Sequence, residues 1–281
     1  MKKIIFTLIF LIGLGVFSQT SAFTRILTAN PLTASSRATI QLSGDLNASS
    51  RWYVDTLPDK YFNGLVGYYT FNGNDLLSYV VDRSGNGNHG GLIGVSSSTQ
   101  AVVGMVGQAF RFTGVNNSDY AFSARTGWPT GNAAWTFSFW IRFDAKQSGQ
   151  KIILFYGQNG NTGGANNIYL DINNCGGGNR VGVGNWGGAD IVCDGTAVTY
   201  GRWYYYTVTH TSAPRTELYR DGVSVGSQST TNYNLINSYH NIGRYDGGIN
   251  TAATFDDYRV YNRALSSAEV LDLYRTVNKF Y

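Results

Sequence analysis

Few side chains in this sequence could carry out catalysis. The chain has two glutamates, Glu217 and Glu269, one in a predicted hairpin and the other in a predicted terminal helix. Glycoside hydrolases need two carboxylates flanking the bond that they cut, so this placement argues against that chemistry. His89, His210 and His240 have no second catalytic group at a recognisable spacing. The sequence favours a binding protein, and a polysaccharide hydrolase or lyase with unusual catalytic groups is the least favoured interpretation.

Side chains that could bind a ligand lie on the polar faces of alternating segments. Residues 135–143 carry large apolar side chains at every odd position, and residues 168–173 and 180–186 continue this alternation. The candidate ligand-binding residues are Trp140, Arg142, Tyr169, Asp171, Asn173, Arg180 and Trp186.

This mixture of residue types suits a sugar. Aromatic rings stack on the apolar faces of sugar rings, while carboxylates, amides and guanidinium groups bind hydroxyls. If the strands belong to one sheet, the side chains gather on a single surface. The alternative is that the aromatic residues cover the outer face of a sheet or pack beneath loops.

Strands must position these residues, because a period of two places alternate side chains on opposite faces. Asp221-Gly222 is typical of a two-residue hairpin turn. In the loop over residues 82–90, Asp82 can accept hydrogen bonds from backbone N–H groups. Ser266 and Glu269 form a capping box that begins a helix. The predicted fold is all-β, an antiparallel two-sheet β-sandwich with one short C-terminal helix.

The sequence divides into three regions. Residues 1–22 are interpreted as a signal peptide, because two lysines precede a short apolar run and small residues follow it; a retained N-terminal anchor is the alternative. Residues 23–62 are interpreted as a Ser/Thr-rich leader or spacer, and residues 63–281 as one domain. The protein is predicted to be secreted or at the cell surface, with no membrane insertion after signal removal.

Charge and cysteine content narrow the possible partners. Removal of the predicted signal peptide takes away two of the 21 Lys and Arg residues and leaves a net charge of about +2 against the 17 acidic residues, which is too weak to indicate nucleic acid as a partner. Cys175 and Cys193 are predicted to form a disulfide, since a pair in an oxidising compartment is normally bridged. The alternative is two unpaired cysteines that pack.

Seven segments together resemble a known family. They are residues 64–73, 82–90, 107–114, 135–141, 218–222, 241–244 and 256–269. In this order they resemble the laminin-G-like, concanavalin A-like jelly-roll domains of secreted bacterial proteins. The resemblance implies two packed antiparallel sheets, one with a concave surface. Lectins, carbohydrate-binding modules and some glycoside hydrolases share this architecture, so the fold alone does not set the function.

The resemblance also implies a structural calcium ion at the sandwich edge. In the related jelly-roll domains, the acidic ligand is an aspartate at the start of the last strand. Alignment on Arg259-Val260-Tyr261 makes Asp256 the matching residue, and the loops at Asn72 and Gly114 could supply carbonyl oxygens. Calcium takes six to eight oxygens, so this set is incomplete. The alternative is that Asp256 caps a loop or pairs with an arginine.

Two functional hypotheses remain. The preferred one is a non-catalytic domain that recognises a glycan or another cell-surface polymer on the concave sheet. The alternative is an extracellular protein–protein or adhesion module that uses loops at the rim of the sandwich.

Overall fold

The structure is a computed structural model of the chain. It describes residues 61–76, 79–93, 100–114, 120–123, 126–146, 148–158, 167–173, 175–185, 191–229, 233–244 and 251–277. The predicted signal peptide and nearly all of the predicted leader lie outside the described residues, so those boundaries stay predictions. Tyr61 is buried, and its hydroxyl lies 3.0 Å from Thr276 Oγ1. The folded domain therefore includes this last part of the predicted leader.

The strands form two antiparallel sheets. In spatial order, sheet A contains β14 (Val223–Ser229), β13 (Arg215–Arg220), β12 (Trp203–Thr211), β7 (Trp135–Phe143), β16 (Ala252–Tyr261), β5 (Gln108–Thr113) and β4 (Ala101–Val103), with β1 (Leu65–Tyr69) also paired to β16. Sheet B contains β11 (Ile191–Cys193), β10 (Val181–Gly184), β9 (Asn167–Ile172), β8 (Lys151–Gly157), β15 (Tyr239–Ile242), β6 (Tyr120–Ser123), β3 (Gly90–Ile93) and β2 (Tyr79–Val80).

The hydrophobic core lies between the two sheets. Phe137, Phe139 and Ile141 of β7 point into it from sheet A, and Leu170 and Ile172 of β9 point into it from sheet B. The odd positions of β7 and the even positions of β9 therefore face the core, as the sequence predicts, but Trp140, Tyr169 and Asp171 on the opposite faces are buried as well. The two-sheet β-sandwich is confirmed.

Helix α1 (Ser267–Val277) follows the last strand. The capping box is confirmed, because the N–H of Ser266 donates to Glu269 Oε2 (2.8 Å) and the N–H of Glu269 donates to Ser266 Oγ (3.3 Å). Leu265 and Val270 are buried at the staple positions. The Arg263 guanidinium and the Ser266 donors stabilise the charged form of Glu269 and lower its pKa to about 2.

The loop over residues 82–90 is held by two buried side chains. Asp82 accepts four hydrogen bonds, from the backbone N–H groups of Tyr68, Ser84 and Asn88 and from Ser84 Oγ. Asn88 binds the backbone carbonyls of Val66 and Thr126 and the N–H of Thr126. The predicted role of Asp82 is confirmed, and the loop fixes β1 relative to the start of sheet B.

Replacing Asp82 tests this role. Asp82→Ala leaves three buried or half-buried backbone donors without their acceptor, so we expect the free energy of unfolding to fall by about 3 kcal/mol or more. Urea denaturation measures the loss. Ser84→Ala removes one hydroxyl donor from the same carboxylate and should cost only about 1 kcal/mol. Equal losses in the two variants would contradict this role for Asp82.

The capping box gives the fold a defined acid dependence. Because the pKa of Glu269 is depressed in the folded state, its stabilising effect is present above its ordinary value of 4.5 and is lost as the pH falls towards about 2. Glu269→Gln should be less stable than the wild type at pH 6, and the difference should vanish near pH 2. Thermal melts across this range would show it; a difference that does not depend on pH would refute the assignment.

Candidate functional site

The structure divides the predicted ligand-binding residues between two sheets. Trp140 and Arg142 lie on β7 of sheet A, whereas Tyr169 and Asp171 lie on β9 of sheet B. The condition for a single surface, that these strands belong to one sheet, is therefore not met. The period of two assigns each side chain to the face opposite the core, but it does not show to which sheet a strand belongs.

Trp140 is covered by the terminal helix. Its ring centroid lies 5.1 Å from that of Tyr205 on β12 and 5.8 Å from that of Tyr274 on α1. Only 2% of Trp140 is exposed. Trp140 does point away from the central core, but it packs in a second layer and does not form part of a ligand surface.

The outer face of sheet B contains a continuous row of paired residues. Register pairs Gly184 of β10 with Tyr169 of β9, Tyr169 with Phe155 of β8, and Phe155 with Asn241 of β15. Directly opposite residues in antiparallel strands share one face of the sheet. The backbone register then continues from β15 through residues 122 and 91 to Tyr79 of β2. Ile152, Asp171 and Tyr239 lie on the same outer face, one step along the strands from these residues. We call the whole set the sheet B row.

Apolar side chains occupy the middle of the sheet B row. Ile152, Phe155 and Tyr169 form a buried cluster that is separate from the main core. The outer face of an antiparallel sheet in a sandwich is usually polar and solvated. Three large apolar side chains therefore lie on this face, separate from the main core.

Polar groups lie beside this apolar cluster. The Asp171 carboxylate is fully buried and accepts a hydrogen bond from Gln150 Nε2 at 2.6 Å. Across the register, Gly182 pairs with Asp171 and Gly184 with Tyr169, and neither glycine carries a side chain. Tyr79 and Tyr239 are 44% and 43% exposed, so two rings of this face are open to solvent.

The other predicted binding residues have different environments. Asn173, at φ 78°, accepts a hydrogen bond from the Asn179 N–H and donates from Nδ2 to the Gly149 carbonyl. It therefore organises the connection between β9 and β10. Arg180 is exposed just before β10. Trp186 lies outside the described residues.

The predicted disulfide is confirmed. Cys175 and Cys193 are bonded, with their Cα atoms 5.7 Å apart, and the bond joins the β9–β10 connection to β11. β11 is the edge strand of sheet B. The covalent link therefore holds that edge next to Gly182 and Gly184.

The three residues assigned to calcium are not brought together. Asp256 Oδ2 accepts a hydrogen bond from the Val106 N–H at 2.7 Å, and Asn72 Oδ1 accepts one from the Gln108 N–H. Both side chains thus hold the turn between β4 and β5. Gly114 lies beside Ala252, about 13 Å along β16 from Asp256 at the usual rise per residue. Burial and the neighbouring Asp257 raise the pKa of Asp256 well above its usual range.

Among the described side chains, no group of three or more His, Cys, Asp or Glu residues is arranged to hold a metal ion. Calcium oxygens can also come from backbone carbonyls, so calcium binding at Asp256 stays a prediction. In the described part of the chain, no helix is long and apolar enough to cross a membrane.

The three histidines have structural environments. His89 Nδ1 accepts the Asp82 N–H, and His240 Nε2 lies 2.9 Å from the Tyr258 hydroxyl. His210 stacks on Trp135, and its burial lowers its pKa to about 4. Each imidazole therefore takes part in packing or loop structure.

Comparison with known families decides the classification. The family Laminin_G_3, described as the concanavalin A-like lectin/glucanases superfamily, matches residues 114–271, which is more than half of the chain. The chain belongs to this superfamily. The predicted resemblance is thus confirmed. The curated proteins contain no match to the sequence.

Solved structures of similar fold include other domains of this architecture. The binding domain of Paraclostridial Mosquitocidal Protein 1 is 17% identical with a TM-score of 0.60, covering 76% of this chain and 52% of that one. The Trypanosoma rangeli sialidase is 18% identical with a TM-score of 0.56, covering 77% of this chain and 34% of that one.

Domain 4 of AbnA, an extracellular GH43 arabinanase from Geobacillus stearothermophilus solved with arabinotriose, is 18% identical with a TM-score of 0.56. The match covers 74% of this chain and 97% of that domain. By contrast, the chain spans about half of the mosquitocidal binding domain and a third of the sialidase. At these identities the likeness to solved structures shows the concanavalin A-like fold.

Removal of the disulfide tests its role in this superfamily member. Its 18-residue separation predicts that Cys175→Ser/Cys193→Ser lowers the free energy of unfolding by about 3 kcal/mol. Urea denaturation of the variant and of the thiol-reduced wild type should give matching losses. An unchanged midpoint in both would show that the bond does not stabilise this edge.

Proposed function

We propose that this protein is an exported, non-catalytic carbohydrate-binding domain whose ligand lies along the sheet B row. The observation that carries the proposal is the pair of exposed rings, Tyr79 and Tyr239, on the outer face of sheet B. Phe155 and Tyr169 are buried beneath this face, so they support the surface, and the two exposed rings can stack on sugar rings.

The chemistry of the row suits a polyhydroxylated chain. The exposed rings of Tyr239 and Tyr79 can stack on the apolar faces of sugar rings, and the half-buried amide of Gln150, which the Asp171 carboxylate orients, can bind hydroxyl groups. Small-ligand sites typically combine apolar walls with a few such polar groups. Because the row crosses the strands, the ligand would run perpendicular to them.

The comparisons and the disulfide support the proposal. Domain 4 of the arabinanase was solved with arabinotriose on the same fold, and the mosquitocidal relative is itself described as a binding domain. The Cys175–Cys193 bond fits an oxidising, extracytoplasmic environment. The predicted signal peptide would provide the export route.

Affinity electrophoresis of the purified chain in gels that contain neutral polysaccharides, arabinan included, tests the proposal. We expect retardation by at least one polymer. Tyr79→Ser should weaken it roughly 3- to 10-fold through the loss of one stacking contact. Asp171→Asn, which keeps the shape of the side chain, should weaken it about 10-fold through altered hydrogen bonding.

Val223→Ser is the matched control, since Val223 is 62% exposed on the edge of sheet A. It should bind like the wild type. Absence of binding to every carbohydrate, with and without Ca²⁺, would contradict the proposal. Wild-type binding by both row variants would place the ligand elsewhere.

A further inference from the structure

The outer face of sheet A has a second row that helix α1 leaves uncovered. Register places Trp203 of β12 opposite Arg142 of β7, Arg142 opposite Thr254 of β16, and Thr254 opposite Arg111 of β5. Their chain neighbours Tyr204, Ile141, Phe143, Ala253, Phe255, Phe110 and Phe112 all belong to the core. These four side chains therefore point away from the core, on the face opposite to the sheet B row. We call them the sheet A row.

One carboxylate orients both arginines of the sheet A row. Arg111 Nε lies 2.7 Å from Asp144 Oδ2, and Arg142 Nε lies 3.2 Å from Asp144 Oδ1. Arg142 Nη2 also donates to Thr254 Oγ1 at 3.3 Å, and its guanidinium carbon lies 5.3 Å from the centroid of the Trp203 ring. Both guanidinium groups are thus held in defined positions.

The sheet A row has a net positive charge, and Arg111 has terminal N–H groups that are available to a ligand. Two guanidinium groups share one carboxylate, so the cluster has a net charge of +1. The Arg111 side chain is 50% exposed and the Arg142 side chain is 29% exposed, whereas Asp144 is only 12% exposed. Arg111 uses Nε for Asp144, and its two terminal nitrogens make no hydrogen bond within the described residues. Solvent-exposed ion pairs contribute little stability, so stability alone does not account for this arrangement.

We propose that the sheet A row is a second binding site, and that its ligand is a polysaccharide carrying carboxylate groups. A uronate carboxylate matches the planar pair of terminal N–H donors of Arg111, and the guanidinium group of Arg142 adds a second positive charge in the same row. The half-buried indole of Trp203 beside Arg142 supplies an apolar surface for the sugar ring. Within the sheet A row, Trp203 would thus contact the sugar ring and the arginines would bind its carboxylate.

The probe pair is polygalacturonate and its fully methyl-esterified form, which has the same backbone without the negative charge. Affinity electrophoresis with the full chain should show retardation by polygalacturonate and at least tenfold weaker retardation by the ester. Raising the salt concentration should weaken the first interaction and leave the second unchanged.

Arg111→Gln and Arg142→Gln should each weaken polygalacturonate binding roughly tenfold, since each removes a charge-assisted contact. Arg215→Gln is the matched control. Arg215 is a 52%-exposed arginine near the other end of sheet A, about 27 Å from Trp203 along β12, and it also pairs with one carboxylate. It should bind like the wild type. Arg111 contacts Asp144 at the surface, so its variant should fold even if Arg142→Gln does not.

Asp171→Asn separates this site from the sheet B row, because it should leave polygalacturonate binding unchanged. Loss of binding in that variant would place the anionic ligand on sheet B and overturn the proposal. Equal retardation by the two polymers, or equal loss in Arg215→Gln and Arg111→Gln, would overturn it too. Failure of neutral polymers to bind would count against the sheet B proposal alone.

Discussion

The position of β16 constrains the rest of the structure. The last strand of the chain lies in the middle of sheet A, with β7 on one side and both β5 and β1 on the other. Residues 252–255 pair with β5 and residues 258–261 with β1, and the register shift between Asp256 and Arg259 lies where one partner replaces the other. Sheet A therefore cannot form completely until both β1 and β16 are available for pairing. The fold thus depends on contacts between residues that are far apart in sequence.

The same irregularity buries a pair of charges. Asp257 adopts φ 51°, and its carboxylate lies 2.8 Å from Arg259 Nη2, with both side chains 1% exposed. The Arg259 guanidinium also stacks over Tyr68 of β1, with 4.5 Å between its carbon and the ring centroid. Losing one partner of such a pair is costly, because the other is left as an uncompensated buried charge. These contacts fix β1 against β16.

Helix α1 determines how much of sheet A is available to a ligand. Helix α1 packs over Trp140 of β7 and Tyr205 of β12. The sheet A row, with Arg142 and Trp203, lies two residues away on the same strands and remains partly accessible. Residues 140 and 142 thus share a strand and a face but differ in exposure. Their different exposure comes from an element that begins more than a hundred residues later in the chain.

Local physical chemistry explains which features could be predicted from the sequence. The period of two places Phe137 and Leu170 in the core, the spacing of Ser266 and Glu269 begins the helix, and Asp221-Gly222 forms its turn at positive φ. Each of these depends on neighbours in sequence. Membership of a sheet depends on pairing between distant strands, which no local pattern specifies.

The functional rows illustrate this limit. Trp140 and Tyr169 have the same pattern in sequence, yet only strand pairing assigns them to different sheets. Of the sheet A row, only Arg142 is among the residues that the sequence predicts to bind a ligand. Residues 203–206 of β12 are four consecutive aromatic residues, so no alternation shows which of them face outwards. Arg111 gives no signal in the sequence either, because its importance arises from Asp144, which lies 33 residues away.

The charges of the two outer faces separate the ligands that each can bind. The sheet B row contains the buried carboxylate of Asp171, and a second carboxylate brought next to it would be repelled and poorly hydrated. The sheet A row has two arginines for one aspartate and disfavours only cations. Under the two proposals, an acidic polymer would bind to sheet A and a neutral one to the aromatic rings of sheet B. Because the core separates the faces, the two proposed sites could act independently, and one domain could hold two chemically different polymers together.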